Sequence, residues 1–117
     1  MATSILKPDR FGAEKSNDIT RGSGAETVGG NIVYHKASGV VHIDFRALNS
    51  SNMSIDAVLA TIPEKYRPST DQGGSCIIAV ADGTITVGSW RVRTDGTIQQ
   101  RSTSTARRMF GVIEYVF

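Results

Sequence analysis

The sequence predicts an all-β fold, an antiparallel β-sandwich or a barrel-like head domain. Three observations carry that prediction. Asp82-Gly83 and Asp95-Gly96 are hairpin-turn dipeptides, each followed by Thr-Ile. Residues 40–47 and 109–117 alternate in the period-2 pattern of strands that present two different faces. The chain of 117 residues holds 12 Gly and only 3 Pro. With frequent Thr, Ser, Val and Ile, that balance favours strands and turns over helices.

The elements follow in order. Ile32–Lys36 and Val40–Ala47 read as a hairpin joined by Ala37-Ser38-Gly39. In its second strand Val41, Ile43, Phe45 and Ala47 share one face, and Val40, His42, Asp44 and Arg46 share the other. Leu48–Ser54 is a polar loop. Ser54–Ala60 reads as a short irregular or 3₁₀ piece with Ser54 placed to cap it. Cys76–Ala81 is a near-continuous apolar run, expected as a central strand covered on both faces. Asp82-Gly83 reads as a type I′ turn into Thr84–Val87, and Trp90–Arg93 continues after Gly88-Ser89. Asp95-Gly96 repeats the same motif before Ile98–Arg101. The last strand, Met109–Phe117, sets Phe110, Val112, Glu114 and Val116 on one face. Met109, Gly111, Ile113, Tyr115 and Phe117 take the other. Roughly seven short strands at this spacing fit a sandwich or barrel.

Two segments emerge: residues 1–31, and a β head domain over 32–117. The first is polar and glycine-rich, with no helical or strand periodicity. It reads either as a flexible leader or as an arm that ties subunits together through Ile5, Leu6 and Phe11. The formal charge of +2 is too small to argue for nucleic acid. Cys76 is the only cysteine, so no intrachain disulfide forms, and its apolar neighbours predict a buried thiol. No apolar run approaches the ~18 residues of a membrane span, and no apolar signal segment is present.

The stretch Leu59–Ser69 stands apart. Pro63 and Pro68 fix φ, lack an N–H and push the preceding residues towards extended geometry. The segment is expected to be a stiff extended crossover outside any ladder. Tyr66 would anchor it in the core, and Arg67 would bond nearby carbonyls. Pro63, two residues, Tyr66-Arg67-Pro68-Ser69, a strand closed by Asp-Gly-Thr-Ile, a Trp-bearing strand and a terminal Gly-Val-Ile-Glu-Tyr-Val-Phe follow one another. This order resembles the C-terminal receptor-binding head domains of tailed-bacteriophage tail-fibre and baseplate proteins, over about residues 40–117. The chain departs from that family's turn at Glu64-Lys65, where the family places a glycine before the tyrosine. The resemblance implies a non-enzymatic module at the virion tail tip, assembled in the host cytoplasm. It implies binding of a bacterial saccharide or teichoic-acid-like polymer, a homotrimer, and contacts with other tail or baseplate proteins. The two apolar faces of the last strand fit such assembly. A structural virion protein for capsid decoration or tail assembly is the alternative.

The residues offer little for catalysis. No Gly-x-Ser-x-Gly elbow, His-Glu-x-x-His motif or phosphate-binding glycine loop occurs. Asp71, Asp82 and Asp95 fall in turns, where Asp bonds its own backbone. His35 and His42 on neighbouring strands fall short of a zinc ligand set, so neither metal nor cofactor is expected. Arg91, Arg93, Arg101, Arg107 and Arg108 form a basic stretch with Trp90, but no aromatics are interleaved as a single-strand nucleic-acid binder requires. The candidate ligand residues are Arg91, Arg93, Trp90, Asp71 and Gln72. Strand alternation sets Trp90 and Val92 opposite Arg91 and Arg93. Either Trp90 packs inward and the arginines take an anionic polymer, or Trp90 faces out and stacks on a neutral sugar. Burial of Val92 favours the first.

Overall fold

The computed structural model describes residues 13–102 and 105–116. These form one antiparallel sheet of nine strands, curled into a half-barrel. The strands are β1 (Ala13–Ser16), β2 (Thr20–Arg21), β3 (Thr27–His35), β4 (Val40–Leu48), β5 (Val58–Thr61), β6 (Gln72–Ala79), β7 (Ile85–Val92), β8 (Thr97–Gln100) and β9 (Arg108–Val116). Their order across the sheet is β1-β3-β4-β9-β6-β7-β8-β5-β2. Inward residues of the long strands fill the curl: Ile43 and Phe45 from β4, Met109 and Ile113 from β9, Trp90 and Val92 from β7. The alternation read in β4 and β9 is the alternation observed, because each buries one face only.

Residues 13–31 belong to this sheet and are no flexible leader. The boundary expected at residue 31 falls inside β3, which pairs with β4 from Thr27↔Leu48 to His35↔Val40. β2 and β3 are consecutive in the chain yet lie near opposite ends of the strand order. The linking segment therefore crosses the open side of the curl. It is pinned at one end by Gly22 N–H and Gly24 N–H, which donate to Leu59 and Val58, and at the other by Glu26 N–H, which donates to Leu48. Arg21 Nη1 donates to the carbonyl of buried Ala25 between them. This latch turns a flat ribbon into a half-barrel. Ile5, Leu6 and Phe11, named as arm anchors, lie outside the described residues.

Three further expectations need correction. Cys76–Ala81 is not covered on both faces: Cys76 and Ile78 are buried while Ile77 is exposed. Its apolar run reflects an apolar outer surface. Asp82-Gly83 is not type I′, which needs positive φ at both central residues. Among the described residues Asp56 alone of the non-glycines has positive φ. Instead Gly83 N–H donates to Val80 and Val80 N–H to Thr84, with Gly83 at φ 88°. This is a type I turn closed by a left-handed glycine bulge. Arg93–Thr97 repeats it bond for bond, with Gly96 at φ 86°, so the motif is used twice as read. Finally, Ser54–Ala57 is the irregular turn expected, but the piece ends there, because Val58–Ala60 already belong to β5.

The proline segment is the second closure. It is neither outside every ladder nor extended throughout: Leu59–Thr61 belong to β5, paired with β8 and β2, and Glu64–Tyr66 form one turn of 3₁₀ helix. Pro63 starts the turn, and Arg67 is extended ahead of Pro68, as a pre-proline residue must be. Tyr66 and Pro68 are buried. The Tyr66 ring packs edge-on against Tyr34 of β3, with centroids 6.2 Å apart. Its hydroxyl donates to Glu14 Oε1 of β1 at 2.6 Å, and its carbonyl accepts the Tyr115 hydroxyl of β9. Arg67 Nε donates to the Ile62 carbonyl at 3.3 Å and lies across the Gly96 turn. Tyr66 and Arg67 thus hold the roles expected of them.

Glu14 makes this closure pH-dependent. Lys65, then the Tyr66 hydroxyl, bind its carboxylate, and Lys36 flanks it at 3.4 Å. These partners hold its pKa down at about 2, from 4.5. A depressed carboxylate stabilises the fold above the unfolded pKa, and that stabilisation fades as pH falls towards the folded one. Glu14→Gln should therefore melt below the wild type at pH 7, with the gap closing between about pH 4.5 and 2. Thermal melts by circular dichroism across that range read this out. A constant gap would remove Glu14 ionisation as the cause.

Candidate functional site

The second Asp-Gly turn fixes the register that builds the candidate site. With Arg93 and Thr97 closing the turn, Arg91 of β7 stands opposite Gln99 of β8. Gln99 Oε1 accepts both Arg91 Nε at 3.1 Å and Nη2 at 2.7 Å. Gln99 Nε2 in turn donates to the Asp56 carbonyl. The buried glutamine thus holds a half-exposed guanidinium in one plane on the outer face of the sheet. Arg93 lies on the same face beyond the strand end. Asp71 sits beside it, with Oδ2 at 3.9 Å from Arg93 Nε and Oδ1 accepting the Thr94 N–H. Asp71 and Arg93 are therefore brought together, with Arg91 on the same face.

Trp90 and Gln72 are not. Trp90 is 1% exposed and points into the core, its ring edge-on to Phe45 at 5.4 Å between centroids. A ligand on the outer face cannot stack on it. Gln72 pairs with Val92 and so faces the same side as Trp90, and its amide is spent on Thr70. Sequence reasoning missed Gln99. The Asp95-Gly96 turn, counted outwards by two residues on each strand, was the signal that places Gln99 against Arg91.

The surface around Arg91 is shallow. Its neighbour across β6 is Gly73, and Ser75 pairs with Ser89 on the next outward rung. Further across β8, Arg101 pairs with Asp56. Such a face offers planar cationic donors and hydroxyls without a deep cleft, and that suits hydrogen bonding to anionic or hydroxyl-rich polymers.

Other groups are accounted for by structure. Asp82 and Asp95 each accept the N–H two residues on, and Thr97 adds its hydroxyl to Asp95. Those bonds hold both carboxyls below their usual range, as turn-forming aspartates. Burial pushes the Cys76 thiol up to about 11, so it stays protonated and unreactive near neutral pH. His42 Nδ1 lies 2.9 Å from Glu114 Oε2 on the outer face. Among the described residues no group of three or more His, Cys, Asp and Glu is placed to hold a metal ion, and no helix is long and apolar enough to cross a membrane.

Compared with known proteins, the chain matches no family model and no curated protein.

Proposed function

We propose that this chain is a non-enzymatic receptor-binding module of a tailed-bacteriophage tail fibre or baseplate. Its ligand in this reading is an anionic bacterial cell-surface saccharide or a teichoic-acid-like wall polymer. The resemblance of the Pro63–Ser69 turn, the paired Asp-Gly-Thr-Ile motifs and the aromatic last strand supports the family. One observation supports the ligand class: Arg91 and Arg93 share an open outer face while Trp90 is turned inward. A neutral sugar stacked on indole has no platform there, whereas phosphate or carboxylate groups meet planar guanidinium donors. The Gln99 bonds pre-orient Arg91, which lowers the ordering cost of binding.

Adsorption of labelled protein to isolated bacterial cell walls tests this reading. Binding should weaken steadily as salt rises from about 0.05 to 0.5 M, since exposed charges are screened over that range. Losing Arg91 and Arg93 together to alanine should cut binding by at least about tenfold, as expected for charge-assisted bonds. Salt-insensitive adsorption, or adsorption indifferent to both arginines, would overturn the ligand class. A structural virion protein is the second reading. The exposed apolar side chains of β6, β7 and β9, which suit protein–protein contact, favour it.

A further inference from the structure

The outer face over β4, β9 and β6 is patterned, and on β4 and β9 the charge reverses about one level. In-register rungs run Arg46–Phe110–Ile77 and, one step along, Asp44–Val112. Phe110, Val112 and Ile77 are 36%, 48% and 41% exposed, so the centre of this face is apolar and open. Between the two rungs lies the level of Phe45 and Gly111. Two cations, Arg46 and Arg108, stand on one side of that level. Two carboxylates, Asp44 and Glu114, stand at matching steps on the other, with His42 holding Glu114 at 2.9 Å. Shape follows the same reversal. Past the arginines lies a groove of about 510 Å³, bordered by Leu48, Asn49, Ile85 and Arg107. Past the carboxylates, Val116 projects at 66% exposure beside Val40.

We infer that this face closes against a second copy of the same chain about a two-fold axis lying across the strands at Gly111. That operation sets Arg108 over Glu114, Arg46 over Asp44 and Phe110 over Val112, each twice. It also carries Val116 of each copy over the groove of the other. An isologous interface requires such self-complementarity, with opposite charges at positions that exchange. A three-fold axis set along the strands on this face, one way to build the homotrimer that the phage resemblance implies, brings equal levels together and leaves each arginine beside its own copies. The charge pattern therefore selects two copies over three. The inference is independent of any receptor, because it is read from mass and not from adsorption.

Sedimentation equilibrium and light scattering test it. Wild-type protein at about 10 μM should have the mass of two chains, as a standard-sized interface allows. Val112→Asp, at an exposed site, should give a monomer with an unchanged circular dichroism spectrum. Arg108→Glu should weaken association at least about tenfold through like-charge contact with Glu114, and adding Glu114→Arg should recover most of it. Failure of the second substitution to rescue the first would overturn the two-fold arrangement. A wild-type monomer or a stable trimer would overturn the proposal outright.

Discussion

Gly30→Ala should destabilise the protein by about 3 kcal/mol, combining backbone strain with overpacking. Gly30 lies in β3 opposite Phe45, at φ 148°, a region that residues with a Cβ rarely adopt. A Cβ built there stands 1.8 Å from the Asp44 carbonyl oxygen of β4. That oxygen is backbone in the middle of the sheet, so it cannot move aside without disturbing the β3–β4 ladder. The neighbouring glycine supplies the control. A Cβ on Gly29 comes nearest the guanidinium end of Arg46, at 2.8 Å, and a flexible side chain can swing away. Gly29→Ala should therefore cost under about 1 kcal/mol, as ordinary surface substitutions do. Urea denaturation of both variants checks the pair. Equal, small losses would show that close approach of β3 to β4 does not require glycine at position 30.

Trp90→Ala should cost about 3–5 kcal/mol, the usual range for a large aromatic removed from a core. The indole touches Phe45 across the curl and approaches Gly111 of β9 and Gly74 of β6. It therefore ties together strands on either side of the sheet's centre, and a cavity there has few neighbours able to collapse into it. Trp90→Phe should cost much less. The indole Nε1 is buried with no hydrogen-bond partner among the described residues, and leaving such a donor unpaired costs about 1–3 kcal/mol. Phenylalanine removes that donor along with part of the ring, so the two effects offset. A Trp90→Phe loss as large as that of Trp90→Ala would mean the indole N–H is satisfied in solution. Neither variant that still folds should lose adsorption to cell walls, because the indole does not reach the surface.

Period-2 alternation and turn chemistry made much of the sheet legible in advance. β4 and β9 declared their buried faces because each packs on one side only. The two Asp-Gly motifs declared two hairpins, and the second also fixed the partner of Arg91. What stayed hidden depended on contacts between residues far apart in sequence. β1 and β2 hold four and two residues, too short for any periodicity, and their ladders run to β3 and β5. Gly29-Gly30 looked like flexible-linker composition because nothing nearby shows that β4 passes so close. Cys76–Ala81 misled for another reason. Its outward residues are apolar, and a single chain cannot distinguish a strand buried by its own fold from one with an open apolar face. The candidate site divided along the same line: Arg91 and Arg93 fell to one face by alternation, whereas Asp71 and Gln72, read as a loop, were placed by the Thr94 N–H bond and by the β6–β7 pairing.

The position of β9 has a consequence for how the protein is made. The last of the described strands in chain order lies inside the sheet, between β4 and β6. Before β9 is in place the β3–β4 hairpin and the β6–β7–β8 meander can form, but no ladder joins β4 to β6. Each then presents an unpaired strand edge. Joining them requires contacts distant in sequence, which form slowly because loop entropy must be overcome first. The facing edges of β4 and β6 therefore stay unpaired until β9 inserts between them. Loss of β9 would leave two open-edged fragments prone to pair with other chains, not a smaller version of the same fold.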